Sequence, residues 1–285
     1  MPWEADGGPE AIERVARAAD RLGFAHVACS DHPLVPASRV PAMGATWYDP
    51  IATLAHLGGM TDRVELLTHV LVLPYRHPLV LAKSLATLDA LSRGRLLVGV
   101  GSGHLKPEFA ALGADFEARG PVSDDAIAAL VAAWTQLPAS FAGERIRFRD
   151  VVIGPRPARR PHPPIWVGGN SRRAVRRAAL LGDGWIPWDI PAAELRESVD
   201  RAMALREGAG RNEPWEVVAP YGPVDLLGSR GQGGEASRRP EDVADDVERL
   251  RCSGATRLHV AFRSRSCDEL VEQMEAFASA VMESS

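Results

Sequence analysis

Apolar residues along this chain alternate between short unbroken runs and helical stripes. Val64 to Leu73 is rich in branched residues and too short to span a membrane, which fits a strand buried on both faces of a parallel sheet. Leu81, Leu85, Leu88 and Leu91 then recur at helical spacing, and Leu96–Val100 opens a second buried strand. The same alternation predicts strands at Phe24–Ser30, Val64–Leu73, Leu96–Val100, Ile165–Gly168, Trp185–Pro187, Val217–Val224 and Leu258–Phe262. Helices are predicted at Pro50–Met60, Leu79–Leu91, Arg172–Leu181, Ala192–Glu207, Glu241–Cys252 and Asp268–Met282. A further helix, Glu10–Leu22, precedes the first strand, with Ile12, Val15, Ala19 and Leu22 on one face. Its start, Asp6-Gly7-Gly8-Pro9, is a loop with a cap and an early proline.

Strand–helix units that follow one another without a linker predict one α/β domain over residues 1–285. The architecture expected is a TIM-barrel-like (β/α)8 barrel with insertions, its first strand missing or trimmed, because Met1-Pro2-Trp3 is too short to supply one. The strands near Phe24 and Leu258 would then be neighbouring edges in need of cover. An insertion occupies about 105–164. Within it lie a helix near Ser123–Gln136, a hairpin-like alternation over Ser140–Ile153, and the extended connection PRPARRPHPP at Pro155–Pro164. A second long segment, about 227–240, is rich in glycine, serine and charge and reads as a mobile loop. Insertions after strands belong to the catalytic face of a parallel barrel, where they act as lids.

Composition narrows the class. With 285 residues, 46% of them hydrophobic and 25% charged, the chain suits a soluble globular enzyme. A net charge of −4 argues against nucleic acid or an anionic membrane as partner and leaves a small-molecule substrate. Cys29, Cys252 and Cys267 lie far apart without CxxC spacing, so neither a metal site nor a disulfide framework is expected, and the cytoplasm fits. The polar N-terminus carries no apolar signal region.

Candidate chemistry gathers at predicted strand ends. Asp31-His32 ends the first strand, where a carboxylate beside an imidazole suits proton transfer; the pair also suits a plain turn. His69 lies within a buried strand, His77 follows it, and His104 follows the glycines Gly99, Gly101 and Gly103, which let a backbone approach a ligand. His56, on a helix, reads as structural. Ile165 to Arg173 is a strand, a Gly168-Gly169 turn and a helix start whose exposed amides form an anion site. Arg172, Arg173, Arg176 and Arg177 add positive charge there, the latter pair also reading as a solvated face.

Four segments together resemble the luciferase-like monooxygenase superfamily, particularly its coenzyme F420-dependent oxidoreductase branch. They are SDH at Ser30–His32, Tyr48–Pro78, Leu85–Gly103 and Pro163–Trp188. The resemblance runs over almost the whole chain from Glu10 and implies a TIM-barrel-like fold, no metal and a homodimer. It also implies that Asp31 and His32 lie beside the deazaflavin ring, with His32 or His104 as acid/base. His69–Val70 would be a non-prolyl cis peptide against the ring. Ser102 and Gly103 would contact the cofactor, and Gly168, Gly169, Asn170 and Ser171, with Arg172, would hold its phosphate. Arg156, Arg159, Arg160 and Arg172 offer a counterpart to the acidic F420 tail. Two positions depart from the pattern: relatives often carry glycine or serine in place of His69, and His104 replaces the glutamate of the sugar-phosphate dehydrogenases. The implied activity is hydride transfer between the deazaflavin C5 and a small organic substrate. The alternatives are an FMN-dependent monooxygenase and a catalytically silent barrel acting as a binding subunit.

Overall fold

The apolar runs form parallel strands, one of them broken in two, and the leucine stripe after it forms a helix laid over the sheet. The computed structural model describes residues 2–228 and 237–282, so most of the loop expected over 227–240 lies outside the described residues. Helix α1 (Pro2–Leu22) is interrupted at Gly8, where φ is 59° and ψ is −160°, so the glycine–proline signal marks a break inside the helix rather than its start. It leads to β1 (His26–Cys29), the short α2 (Val40–Met43) and α3 (Pro50–Gly58). Then follow β2 (Glu65–Thr68), β3 (Leu71–Val72), α4 (Pro78–Leu91) and β4 (Leu96–Gly101).

The insertion supplies α5 (Lys106–Leu112), α6 (Arg119–Thr135) and the antiparallel hairpin β5 (Ala139–Ala142) and β6 (Arg147–Val151). After it the alternation resumes with β7 (Ile165–Gly168), α7 (Arg172–Leu181), β8 (Gly184–Ile186) and α8 (Ala192–Gly208). The chain continues through β9 (Glu216–Val224), α9 (Pro240–Cys252), β10 (Arg257–Phe262) and α10 (Cys267–Phe277). Helix α5 had no apolar stripe long enough to announce it.

The strands run parallel in the order β1-β2-β4-β7-β8-β9-β10, with β3 also on β4. This is the curled sheet of a TIM-barrel-like α/β fold. The run expected as one strand over Val64–Leu73 is broken. Leu67 pairs with Leu97 but Leu71 pairs with Val100, so one extra residue is accommodated on the β2–β3 side. His69 and Val70 sit in that bulge, which re-aims their side chains as bulges near active sites do. The His69–Val70 peptide is cis, as the resemblance implied.

Two apolar layers hold the sheet. Outside it, Leu54, Leu85, Leu130 and Val175 pack helices against strands; inside, Leu67, Leu97, Trp166, Ile186 and Val218 fill the curl. Each such side chain contributes about 1.5–3 kcal/mol on burial. Trp134, Trp166 and Trp185 are fully buried.

The sheet is open between β1 and β10, whose residues are mostly half-buried where the central strands are buried. Side chains bridge this seam. Phe24 meets Phe262 and Phe277 with ring centroids 6.2 Å away in each case. His26 Nε2 lies 3.4 Å from His259 Nδ1, and the His259 ring stacks on His69 at 4.2 Å. On the outside α1 and α10 are joined by Arg14–Asp268 and by Arg21–Glu275 at 2.7 Å, which gives the two edges the cover they need. Among the described residues, no helix is long and apolar enough to cross a membrane.

Candidate functional site

The C-terminal ends of β1, β3, β4 and β7 bring the candidate residues to one rim. Just after β1, Asp31 is 4% exposed and holds Arg76 through both oxygens, at 2.6 and 2.8 Å, while accepting the Val72 amide at 2.9 Å. Its carboxylate is thereby fully occupied by the chain, so Asp31 shapes the wall of the site from behind. Burial acts to lower the Arg76 pKa, but the Asp31 carboxylate overrides it and holds the guanidinium above its ordinary value.

His32, the next residue, turns the other way. Its Nδ1 lies 2.9 Å from Glu108 Oε1, and the Tyr75 hydroxyl donates to Glu108 Oε2 at 2.7 Å. Glu108 is 1% exposed, so this carboxylate is removed from water and held by two partners. Burial, reinforced by the Glu108 charge, pushes the Tyr75 phenol far above its usual value; it stays protonated and serves as a donor. Trp47 meets the His32 ring edge-on at 4.5 Å, and its indole Nε1–H is buried without a partner among the described residues. An orphan donor beside an imidazole fits a ligand that brings an acceptor.

Behind the rim, Val70 is seated by glycine. A Cβ on Gly101 would lie 2.7 Å from Val70 Cγ2, and one on Gly168 3.1 Å from Val70 Cγ1; at Gly99 it would strike the Thr68 carbonyl at 1.9 Å. The space freed by Gly99, Gly101 and Gly168 is therefore taken by the β2–β3 bulge, not left open for a ligand. Near Gly103 the space goes to Val72 and Phe109. The Ser102 hydroxyl accepts Arg177 Nη1 at 3.1 Å, so it is tied to α7. Arg177 also reaches Asp124 and the Gly120 carbonyl and is 9% exposed, which corrects its reading as a solvated face.

The Gly168–Gly169 turn after β7 forms, and its backbone groups are largely taken up by the chain. Gly169 has φ of 112°, a conformation that suits glycine. Its N–H is committed to the Ile186 carbonyl at 3.0 Å, and its own carbonyl accepts the Trp185 indole N–H at 2.8 Å. Asn170 clamps the backbone of Trp188, accepting from its amide at 2.7 Å and donating to its carbonyl. Ser171 caps α7, accepting the Ala174 amide at 3.1 Å. The first-turn amides of α7 then remain to face an anion.

Other candidates separate from this cluster. His104 is exposed on the loop after β4 and makes no hydrogen bond to the described residues. His56 pairs with Glu13 at 2.8 Å, a structural contact, and His77 caps α4. Arg156 donates to the Gln136 carbonyl. Arg159 reaches Glu65, the first residue of β2, and so lies at the opposite end of the strands from the rim; its assignment to a cofactor tail does not hold. Glu108, Tyr75, Trp47 and Arg76 escaped the sequence reading because no motif or spacing links them. Only the fold brings α5 to the end of β1. No group of three metal-ligating side chains is assembled among the described residues.

With this geometry in view, the family model for luciferase-like monooxygenase matches residues 2–224. The chain is 33% identical over 201 residues to an FMNH(2)-dependent dimethylsulfone monooxygenase of Pseudomonas putida; the match covers 68% of this chain and 53% of that protein, so the chain spans about half the length of this relative. Among solved structures, monooxygenase RslO1 from Streptomyces bottropensis superposes with a TM-score of 0.84 at 24% identity, over 97% of this chain and 93% of the other. The coenzyme F420-dependent tetrahydromethanopterin reductase of Methanopyrus kandleri gives 0.79 at 17% identity, over 97% and 96%. At these identities the superpositions speak for the fold.

Proposed function

The chain belongs to the luciferase-like monooxygenase family, and from that premise we propose that it is an F420-dependent oxidoreductase acting on a small organic substrate with an activated C=C, C=N or C=O bond. When bound, the deazaflavin supplies hydride exchange at its C5. The observation that carries the reading is the array Tyr75–Glu108–His32, hydrogen-bonded through the buried Glu108, at the rim that also holds the Val70 bulge.

In neutral His32, donation of Nδ1–H to Glu108 leaves Nε2 as the acceptor, and the ionised carboxylate stabilises the imidazolium that forms when Nε2 takes a proton. Tyr75 holds the second carboxylate oxygen and keeps it from turning away. Trp47 Nε1–H offers a substrate heteroatom a donor, and Asp31 with Arg76 fixes the loop that carries His32. The first-turn amides of α7, with Arg172, would receive the cofactor phosphate. Val70, wedged over Gly101 and Gly168, would back its ring.

A second reading, an FMN-dependent monooxygenase, is favoured by the resemblance to the dimethylsulfone enzyme and by the departure of Arg159 from the rim, which leaves less positive charge for an acidic tail. Fluorescence titration with each cofactor separates the two. Tight selective binding of F420 supports the first, tight binding of FMN alone replaces it with the second, and binding of neither points to a silent scaffold. In the active case, His32→Ala slows turnover far more than it weakens cofactor binding; unchanged turnover rejects the acid/base role. A second copy of the chain is the proposed partner, through the α3–α4 face where Val80 and Leu91 are exposed; a monomer by light scattering rejects this.

A further inference from the structure

The connection PRPARRPHPP carries Arg159 to the end of the sheet opposite the rim, where the proposed function gives it no role. There it lines a cavity of about 570 Å³ with Arg63, Arg95, Arg257, Asp20 and Glu65. The cavity sits below the seam, since Glu65 and Arg257 are the first residues of β2 and β10.

The two carboxylates are satisfied by the chain. Glu65 accepts Arg159 Nη2 at 2.9 Å on Oε1 and Arg257 Nη1 at 2.6 Å on Oε2. Asp20 accepts the backbone amides of Arg63 and Val64, each at 2.7 Å, and that of Asp62 at 3.3 Å. Arg95 is satisfied too: its three nitrogens donate to the carbonyls of Ser92, Val64, Gly58 and Thr61 and to the Thr61 hydroxyl.

The other guanidiniums are not. Arg63 uses only Nη2, capping the α1 carbonyls of Asp20 and Arg21 at 2.5 and 3.3 Å. Arg257 has Glu216 3.5 Å from Nε, leaving Nη2. Arg159 retains Nε and Nη1. Among the described residues these five donor-bearing nitrogens have no protein partner, and the six named side chains carry four positive charges against two negative ones. Forked donors around a concave, net-positive space match the oxygen geometry of a phosphoryl group.

We propose that this cavity is a binding site for the phosphoryl groups of a small phosphorylated metabolite, separate from the rim. The test titrates inorganic pyrophosphate calorimetrically, at fixed ionic strength, into the chain carrying Ser171→Asp, whose added carboxylate closes the α7 amides to anions. The same titration is repeated with Arg63→Gln and Arg159→Gln added. The first chain binds one equivalent, and the second binds about tenfold more weakly or worse. Equal affinity in both, or no binding to the first, overturns the site. Arg63→Gln alone, at an exposed position, guards against misfolding of the double variant: it loses the contacts to the α1 carbonyls but keeps a native circular dichroism spectrum and lowers affinity, and unchanged affinity counts against the proposal.

Discussion

Lowering the pH from about 7 to about 5 should destabilise this fold well before its carboxylates titrate. Burial, with the neighbouring imidazole His259 and then further positive groups, holds both His26 and His69 down to about 3 from an ordinary 6.5. His26 Nδ1 is buried with no partner, which leaves its charged form uncompensated. Above pH 6.5 these rings are neutral in both folded and unfolded chains, and the contribution to stability is fully present. Below 6.5 the unfolded chain takes up protons that the folded chain refuses, so stability falls until the pH reaches about 3. Each group removes about 1.4 kcal/mol per pH unit within that window, hence about 2 kcal/mol each and about 4 kcal/mol together by pH 5. His259, lowered by burial alone, adds in the same direction. Against a total of about 5–15 kcal/mol for a natural fold, such a loss is readily measured. Urea denaturation at pH 7, 6 and 5 reads it directly, and His26→Gln should flatten the slope by one group's share. Stability constant to within about 1 kcal/mol over that range would refute the neutral histidine column.

Glu108→Gln should lower turnover about 100-fold while cofactor affinity, read by fluorescence, stays within about twofold, because the carboxylate acts on His32. Ser171→Ala removes the α7 cap and should cost about 1 kcal/mol in urea denaturation, with weaker cofactor binding by fluorescence in the same preparation. Asp31→Ala leaves Arg76 only its 3.3 Å contact with Asp49 and the Val72 amide without its acceptor, and should cost about 1–3 kcal/mol, seen as a lowered melting temperature. Gly99→Ala drives a methyl onto the Thr68 carbonyl and should cost about 3 kcal/mol or prevent folding, checked by soluble yield and circular dichroism.

The repeating architecture was legible because parallel strands buried on both faces leave unbroken apolar runs, and Ile165–Gly168 matches its expected bounds. The break at His69 and Val70 was not legible as a break, since apolar residues flank Thr68 and His69 on both sides and a one-residue bulge leaves the composition unchanged. At the site, adjacency in sequence misassigned roles. Asp31 and His32 are neighbours, yet Asp31 faces Arg76 and His32 faces Glu108, 76 positions away. Hydrogen-bond partners across such separations carry no local signature.

The glycines show why the remaining misassignment has a physical pattern. A glycine at a strand end signals that something approaches the backbone closely, without saying whether that neighbour is a ligand or the protein. Here Gly101 and Gly168 both admit the Val70 wedge and Gly99 admits the Thr68 carbonyl, so three positions read as openings are contacts of the chain itself. The same reasoning separates the two ends of the sheet. At the rim, capping and glycine contacts occupy most polar groups and leave the α7 amides and the Trp47 indole. At the far end, Arg95 is saturated by carbonyls, but Arg63, Arg159 and Arg257 are not. Unmet donors, rather than residue types, distinguish the surfaces able to take a ligand from those that only complete the fold.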